Sequence, residues 1–200
     1  YKLLNRKVIN MDLDFSEFKG KIVSEESSYY EEATLSWNRA VKSKPKAILY
    51  CYNEDDVVNA IKFVKKNNFE FRIRSGGHSY EGYSTGNDLI VIDISNLKYI
   101  EIDEENKKVI FGGGIRNEEA YEALGNKGYP FPGGGCPTVG IVGLILGGGW
   151  GYSSRYFGLA ADSLIEATMI NYEGDKIIIN KDLNSDLFWA LKGIGGGNVG

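Results

Sequence analysis

The chain is 200 residues long and 42% hydrophobic, with 23 Lys and Arg against 27 Asp and Glu for a formal net charge of −4. That is enough apolar material for one or two packed domains, and the scattered charges leave no basic stripe to meet a phosphate backbone, so nucleic acid is not an expected partner. Two cysteines and a single histidine fall short of a disulfide framework or a four-ligand zinc site, and the densest apolar run, residues 139–146, is too short to span a bilayer.

Residues 1–36 read as a polar leading arm with one short amphipathic element at Phe15, Phe18, Ile22 and Val23. No charged n-region followed by an apolar h-region precedes it, so no signal peptide is visible and a soluble protein is expected. A strand follows at 45–52, then a helix that Asn53 can cap, its apolar face formed by Val57, Val58, Ile61 and Val64. Residues 69–73 form a second strand running into a loop at 75–86. Residues 89–94, continuous and β-branched, read as a strand buried on both faces. The unit is βαβ with its loop at a strand end. Residues 99–103 and 108–111, separated by Glu104-Glu105-Asn106, predict a hairpin, and 117–124 a helix that the glycines of 125–128 terminate.

From residue 133 the texture changes. Gly133, Gly134, Gly135, Gly140, Gly143, Gly147, Gly148, Gly149, Gly151 and Gly158 punctuate apolar residues, whereas a flexible linker would be polar and Ser-rich. The segment reads as backbone packed tightly around something. Residues 164–171 and 176–180 form a hairpin through Glu173-Gly174-Asp175, and Ser185 or Asp186 opens a last helix to Leu191. The expected fold is α+β. A first lobe of βα units around parallel strands spans 37–111, and a second, mainly antiparallel lobe spans 112–200.

The loop Ser75-Gly76-Gly77-His78-Ser79 follows a strand, where successive glycine-turn amides can cradle the anionic pyrophosphate of a nucleotide; an ordinary loop fits the same residues. The phosphate-loop signature Gly-x4-Gly-Lys-Ser/Thr is absent, and the only Gly-x-Gly-x-x-Gly, at 195–200, follows a helix rather than a strand and is rejected as a dinucleotide fingerprint. Taken singly, His78 reads as a hydrogen-bonded loop residue and Cys136 as a small buried hydrophobe. A Cys-His hydrolase lacks a group to orient the base.

The ordered set is more specific: Arg74-Ser75-Gly76-Gly77-His78-Ser79-Tyr80-Glu81-Gly82-Tyr83-Ser84, then Gly133-Gly134-Gly135-Cys136-Pro137-Thr138-Val139-Gly140, Gly147-Gly148-Gly149-Trp150-Gly151 and Tyr156-Phe157-Gly158-Leu159-Ala160-Ala161-Asp162. From about Trp37-Asn38 to Gly200 the chain resembles the berberine bridge enzyme-like FAD-linked oxidoreductases, of the vanillyl-alcohol oxidase or PCMH-type FAD-binding fold. The resemblance implies that the two lobes hold FAD between them and that this is the N-terminal portion of a larger enzyme, its substrate domain C-terminal to residue 200.

It also implies one FAD attached twice, with His78 on the flavin 8α carbon and Cys136 on C6. Arg74, Ser75, Gly76, Gly77, Ser79 and Tyr80 would complete the first loop, and Gly135, Thr138 and Val139 the second. Gly140, Ile141, Val142, Gly143 and Leu144 would lie along the cofactor, with Gly147, Gly148 and Val199 as further contacts. Val139 matches a position where family oxidases carry Val and members that shun oxygen carry Leu. The implied reaction is oxidation of an alcohol by hydride transfer to flavin N5, with O2 as acceptor giving hydrogen peroxide. Its catalytic base would come from beyond residue 200. Sugars or oligosaccharides stand ahead of phenolic or alkaloid-like substrates. A dehydrogenase using another acceptor and an inactive flavin-binding module are the alternatives.

Overall fold

The computed structural model describes Phe15 and residues 18–200; the expected leading arm therefore lies in part outside it, at 1–14, 16 and 17. Its later part does not behave as an arm. Lys21–Ser24 (β1) pairs antiparallel with Ala47–Tyr50 (β2), and Tyr30–Ala33 (α1) follows it. Val23 and Tyr30 are buried, and the Tyr30 hydroxyl donates to the Pro45 carbonyl at 2.6 Å.

Glu54–Lys66 (α2), Phe71–Arg74 (β3) and Ile90–Asp93 (β4) complete the first layer. The sheet order is β1-β2-β4-β3, with β4 parallel to both of its neighbours. Alternation explains why the central strands carry apolar residues at successive positions, Ala47-Ile48-Leu49 in β2 and Ile90-Val91-Ile92 in β4. Ala47, Leu49, Ile90 and Ile92 pack under Ala60, Ile61, Phe63 and Val64 of α2, while Ile48 and Val91 face the other way and meet Val23 and Tyr30. Both sheet faces are covered.

Helix α2 starts where its chemistry says it should. The Asn53 side chain accepts from the Asp56 amide at 2.9 Å, Glu54, Asp55 and Asp56 occupy the positive N-terminal end, and Lys65 and Lys66 the negative C-terminal end. Asn53→Ala should lower stability by about 1 kcal/mol, readable as a shifted urea midpoint at constant slope; an unchanged midpoint would show that the cap contributes nothing.

Ile100–Asp103 (β5) and Lys108–Phe111 (β6) form a separate antiparallel hairpin. Ile100 and Phe111 pack on Ile115, Ala120 and Ile141, in a second core shared with Asn117–Gly125 (α3) and Ile141–Leu146 (α4). The hairpin thus sits with the later residues, and the parallel part of the first lobe ends with β4 rather than at Phe111. Ser154–Phe157 (α5) and a 3-10 turn at Ala160–Ser163 lead to the antiparallel pair Glu166–Ile170 (β7) and Lys176–Asn180 (β8), then Ser185–Leu191 (α6). The β7-β8 hairpin reaches back to the first layer: Tyr172 stacks on Phe71 with ring centres 6.1 Å apart, and Lys176 and Lys65 pair with Glu54 and Glu173. Among the described residues, no helix is long and apolar enough to cross a membrane.

Candidate functional site

A cleft of about 2070 Å³ runs between the loop after β3, helix α4, the β5-β6 hairpin, β7 and the glycine run at 195–200. Ser75, Gly76, Gly77, His78, Ser79, Tyr80, Cys136, Val139, Gly140, Ile141, Val142, Gly143, Leu144 and Val199 line it. Most residues expected to meet a cofactor therefore share one wall, although their segments lie far apart in the chain.

The first loop is held by three anchors. Ser75 Oγ donates to the Gly113 carbonyl at 2.7 Å, the Trp37 amide donates to the Gly77 carbonyl at 3.0 Å, and Asn38 Nδ2 donates to the Tyr80 carbonyl at 2.8 Å. Gly77 adopts φ +68, a left-handed conformation that suits glycine. Among the described residues, the amides of Gly76, Gly77, His78 and Ser79 donate to no acceptor in the chain. Unpaired amides in succession are what an anionic ligand needs.

The second loop is docked on the start of α3. The amides of Asn117 and Glu118 donate to the carbonyls of Val139 and Pro137, both at 3.0 Å, and Asn117 Nδ2 donates to the Cys136 carbonyl at 2.9 Å. Tyr121 donates to the Gly134 carbonyl at 2.9 Å. The two loops then touch through glycine backbone. A Cβ on Gly76 would stand 2.4 Å from the Gly140 nitrogen, and one on Gly140 would stand 2.7 Å from the Gly76 nitrogen. No larger residue fits at either position without moving backbone.

This contact brings the two candidate anchors together. Thr138 Oγ1 lies 2.9 Å from His78 Nε2 and 3.6 Å from Cys136 Sγ. The imidazole stacks on Trp37 with ring centres 5.2 Å apart and planes inclined by 24°. Burial, with the positive charge of Arg116 adding to it, holds the His78 pKa below its ordinary 6.5. At neutral pH the ring is uncharged and nucleophilic. Cys51 is no rival to Cys136: it is buried in the core, and that burial, with Asp56 and Asp93 nearby, pushes its thiol up.

Five expected contacts are placed differently. Arg74 turns away from the cleft: Nε pairs with Asp93, Nη1 donates to the Ala33 carbonyl at 2.8 Å, and Nη2 donates to the Tyr50 hydroxyl at 3.2 Å. With both side chains of the ion pair almost fully buried, Arg74 anchors the base of the first loop and does not face a ligand. Thr138 stands behind the two anchors rather than on the cleft wall, and Gly135 lies beside Tyr152. Gly147 and Gly148 close the end of α4 with bonds from their amides to the carbonyls of Gly143 and Ile145. Trp37 was missed, because nothing local marks a tryptophan forty-one residues upstream as the partner of His78. Among the described residues no cluster of His, Cys, Asp or Glu could hold a metal ion.

Glycine in α4 gives a test of what the cleft fits. A Cβ on Gly143 would meet no protein atom within 4 Å, so packing within the chain gives no reason for glycine inside a helix, where it costs about 1 kcal/mol relative to alanine. Close approach of a flat ligand does. Together with free amides, a neutral imidazole and a thiol on one wall, the residues present fit a flavin nucleotide.

Comparison with known proteins agrees. Residues 45–180 match the FAD binding domain family. The chain is 38% identical over 192 residues to the uncharacterized FAD-linked oxidoreductase YgaK of Bacillus subtilis, covering 94% of this chain and 43% of that protein. Among solved structures it resembles 6-hydroxy-D-nicotine oxidase from Arthrobacter nicotinovorans, with a TM-score of 0.87 and 30% identity over 91% of this chain and 41% of that one. It also resembles the glucooligosaccharide oxidase of Acremonium strictum, described as carrying a 6-S-cysteinyl, 8α-N1-histidyl FAD, with a TM-score of 0.84 and 28% identity over 90% and 38%. The chain spans about two fifths of the length of these relatives.

Proposed function

This chain belongs to the FAD binding domain family, with the PCMH-type fold and relatives among the FAD-linked oxidoreductases, and from that premise we propose that it carries one FAD bonded to both His78 and Cys136. The observation that supports this most is their convergence: two nucleophilic side chains from separate loops lean on one hydroxyl at the wall of the cleft. In this reading the free amides of residues 76–79 take the pyrophosphate, and Gly140 to Leu144 lie along the nucleotide. Bound flavin supplies the hydride-accepting chemistry, while the protein orients the cofactor and tunes it.

For the whole protein we assign oxidation of an alcohol group, with O2 as acceptor and hydrogen peroxide as product. Val139, on the cleft wall, stands at the position where family oxidases carry Val, which supports O2 as acceptor, and the likeness to the glucooligosaccharide oxidase favours a sugar or oligosaccharide as substrate. The catalytic base is assigned to the portion of the relatives' length that this chain does not cover. The direct test is precipitation of purified protein in acid: yellow colour should stay with the pellet, and colour released entirely to the supernatant would defeat covalent attachment.

The lowered pKa of His78 sets a pH dependence. Only the neutral imidazole can bond the flavin, and its half-protonation point lies below the ordinary value of 6.5. Attachment at His78 should therefore stay nearly constant from pH ~8 to pH ~7 and fall to half its rate only below pH 6.5. Folding follows the same sign: the unfolded chain takes up the proton first, so the contribution is fully present well above 6.5 and is lost as the pH falls through 6.5 and the lower folded value. A rate that already halves between pH ~8 and pH ~7 would contradict the shift.

A further inference from the structure

The imidazole of this chain's single histidine has two nitrogens in different surroundings. Nε2 lies 2.9 Å from Thr138 Oγ1, and the Thr138 backbone also hydrogen-bonds the ring, while no side chain among the described residues partners Nδ1. The Trp37 ring fixes the imidazole plane from one side, and Thr138 Oγ1 in turn lies within reach of Cys136 Sγ at 3.6 Å. A hydroxyl has one proton to give, so this three-membered chain has two possible polarities.

In one, Nε2–H donates to the threonine oxygen and the threonine proton points at sulfur. In the other, the threonine donates to Nε2, the thiol donates weakly to threonine, and the ring proton sits on Nδ1, away from the threonine hydroxyl. The first gives the stronger donor, the ring N–H, a good acceptor, and gives the sulfur a proton to accept as it gains negative charge.

We propose that Thr138 is a positioning residue: its oxygen holds neutral His78 as the Nε2–H tautomer and its hydroxyl proton faces Cys136 Sγ, so that Nδ1 keeps its lone pair free for the cleft. This deepens the bicovalent reading and rests on it. The side chain of Thr138 would set which nitrogen bonds the flavin and hold the two anchors in one register, without touching the cofactor.

The test labels the protein with 15N-histidine, where one imidazole gives the whole signal. In wild type the flavin-bearing peptide should show the bond at Nδ1. In Thr138→Val, attachment at His78 should slow roughly tenfold, the scale of one lost orienting hydrogen bond, while Cys136 still carries flavin; Thr138→Ser should restore the wild-type rate. A wild-type bond at Nε2, or Thr138→Val attaching at the wild-type rate through Nδ1, would overturn the proposal. Should His78 of the purified protein prove free of flavin, the bicovalent reading fails, and the same spectrum then reads the tautomer directly: a proton on Nε2 upholds the tether to Thr138, and a proton on Nδ1 overturns it.

Discussion

Replacing both His78 and Cys136 by alanine should abolish covalent flavin altogether, whereas either single variant should keep one flavin per chain through the remaining bond. The expectation follows from the separation of tasks in the cleft. The two side chains reach the wall from different loops, each with its own anchors: Gly113, Trp37 and Asn38 for the first, Asn117 and Tyr121 for the second. Removing one side chain leaves the other loop in place. The double variant should still bind FAD reversibly, because the unpaired amides of the first loop and the open face at Gly143 do not depend on either side chain. Intact-mass measurement in denaturant reads all three variants. A single variant that loses all its flavin would mean that the bonds form in an obligatory order.

Arg74→Met should have the largest effect on stability. It strands the Asp93 carboxylate, which is buried and accepts also from the Ser95 amide at 2.9 Å, in surroundings where an unpaired charge costs about 3–5 kcal/mol. For a chain of this size that loss corresponds to a fall in Tm of about 10 °C or more. Adding Asp93→Leu to remove the orphaned charge should recover a large part of the loss, since a buried ion pair and an apolar replacement are often close in free energy. Covalent flavin content of the folded protein should stay near wild type, because the guanidinium faces Ala33, Tyr50 and Asp93 and not the cleft. Unchanged stability with lost flavin would instead make Arg74 a cofactor ligand.

Much of this was legible in the residues, for identifiable reasons. Helix α2 announces itself through Asn53, three acidic residues and a regular apolar face, and β4 through three consecutive β-branched apolar positions, Ile90, Val91 and Ile92, all buried. The hairpin at β7-β8 is marked by its turn residues Glu173-Gly174-Asp175. Strand β1 was not legible as part of the sheet: four residues, Lys21 to Ser24, are too few to show a period, and only tertiary pairing with β2 makes them a strand. The direction of Arg74 was hidden for a related reason. Its place beside the glycine loop suggests a ligand contact, but its partner Asp93 lies on the neighbouring strand, and register alone brings them together. The convergence of Trp37, His78, Thr138 and Cys136 likewise depends on Gly76 meeting Gly140, which no local pattern encodes. The motif names His78 and Cys136, and the packing of two glycines brings both within reach of one threonine hydroxyl.

The central claim is that one flavin joins two loops, and proteolysis of the denatured protein followed by mass measurement tests it most directly. The peptide containing His78 and the peptide containing Cys136 should leave together as one yellow species whose mass is that of both plus a single flavin nucleotide. Recovery of the two peptides separately, with flavin on one or on neither, would contradict it.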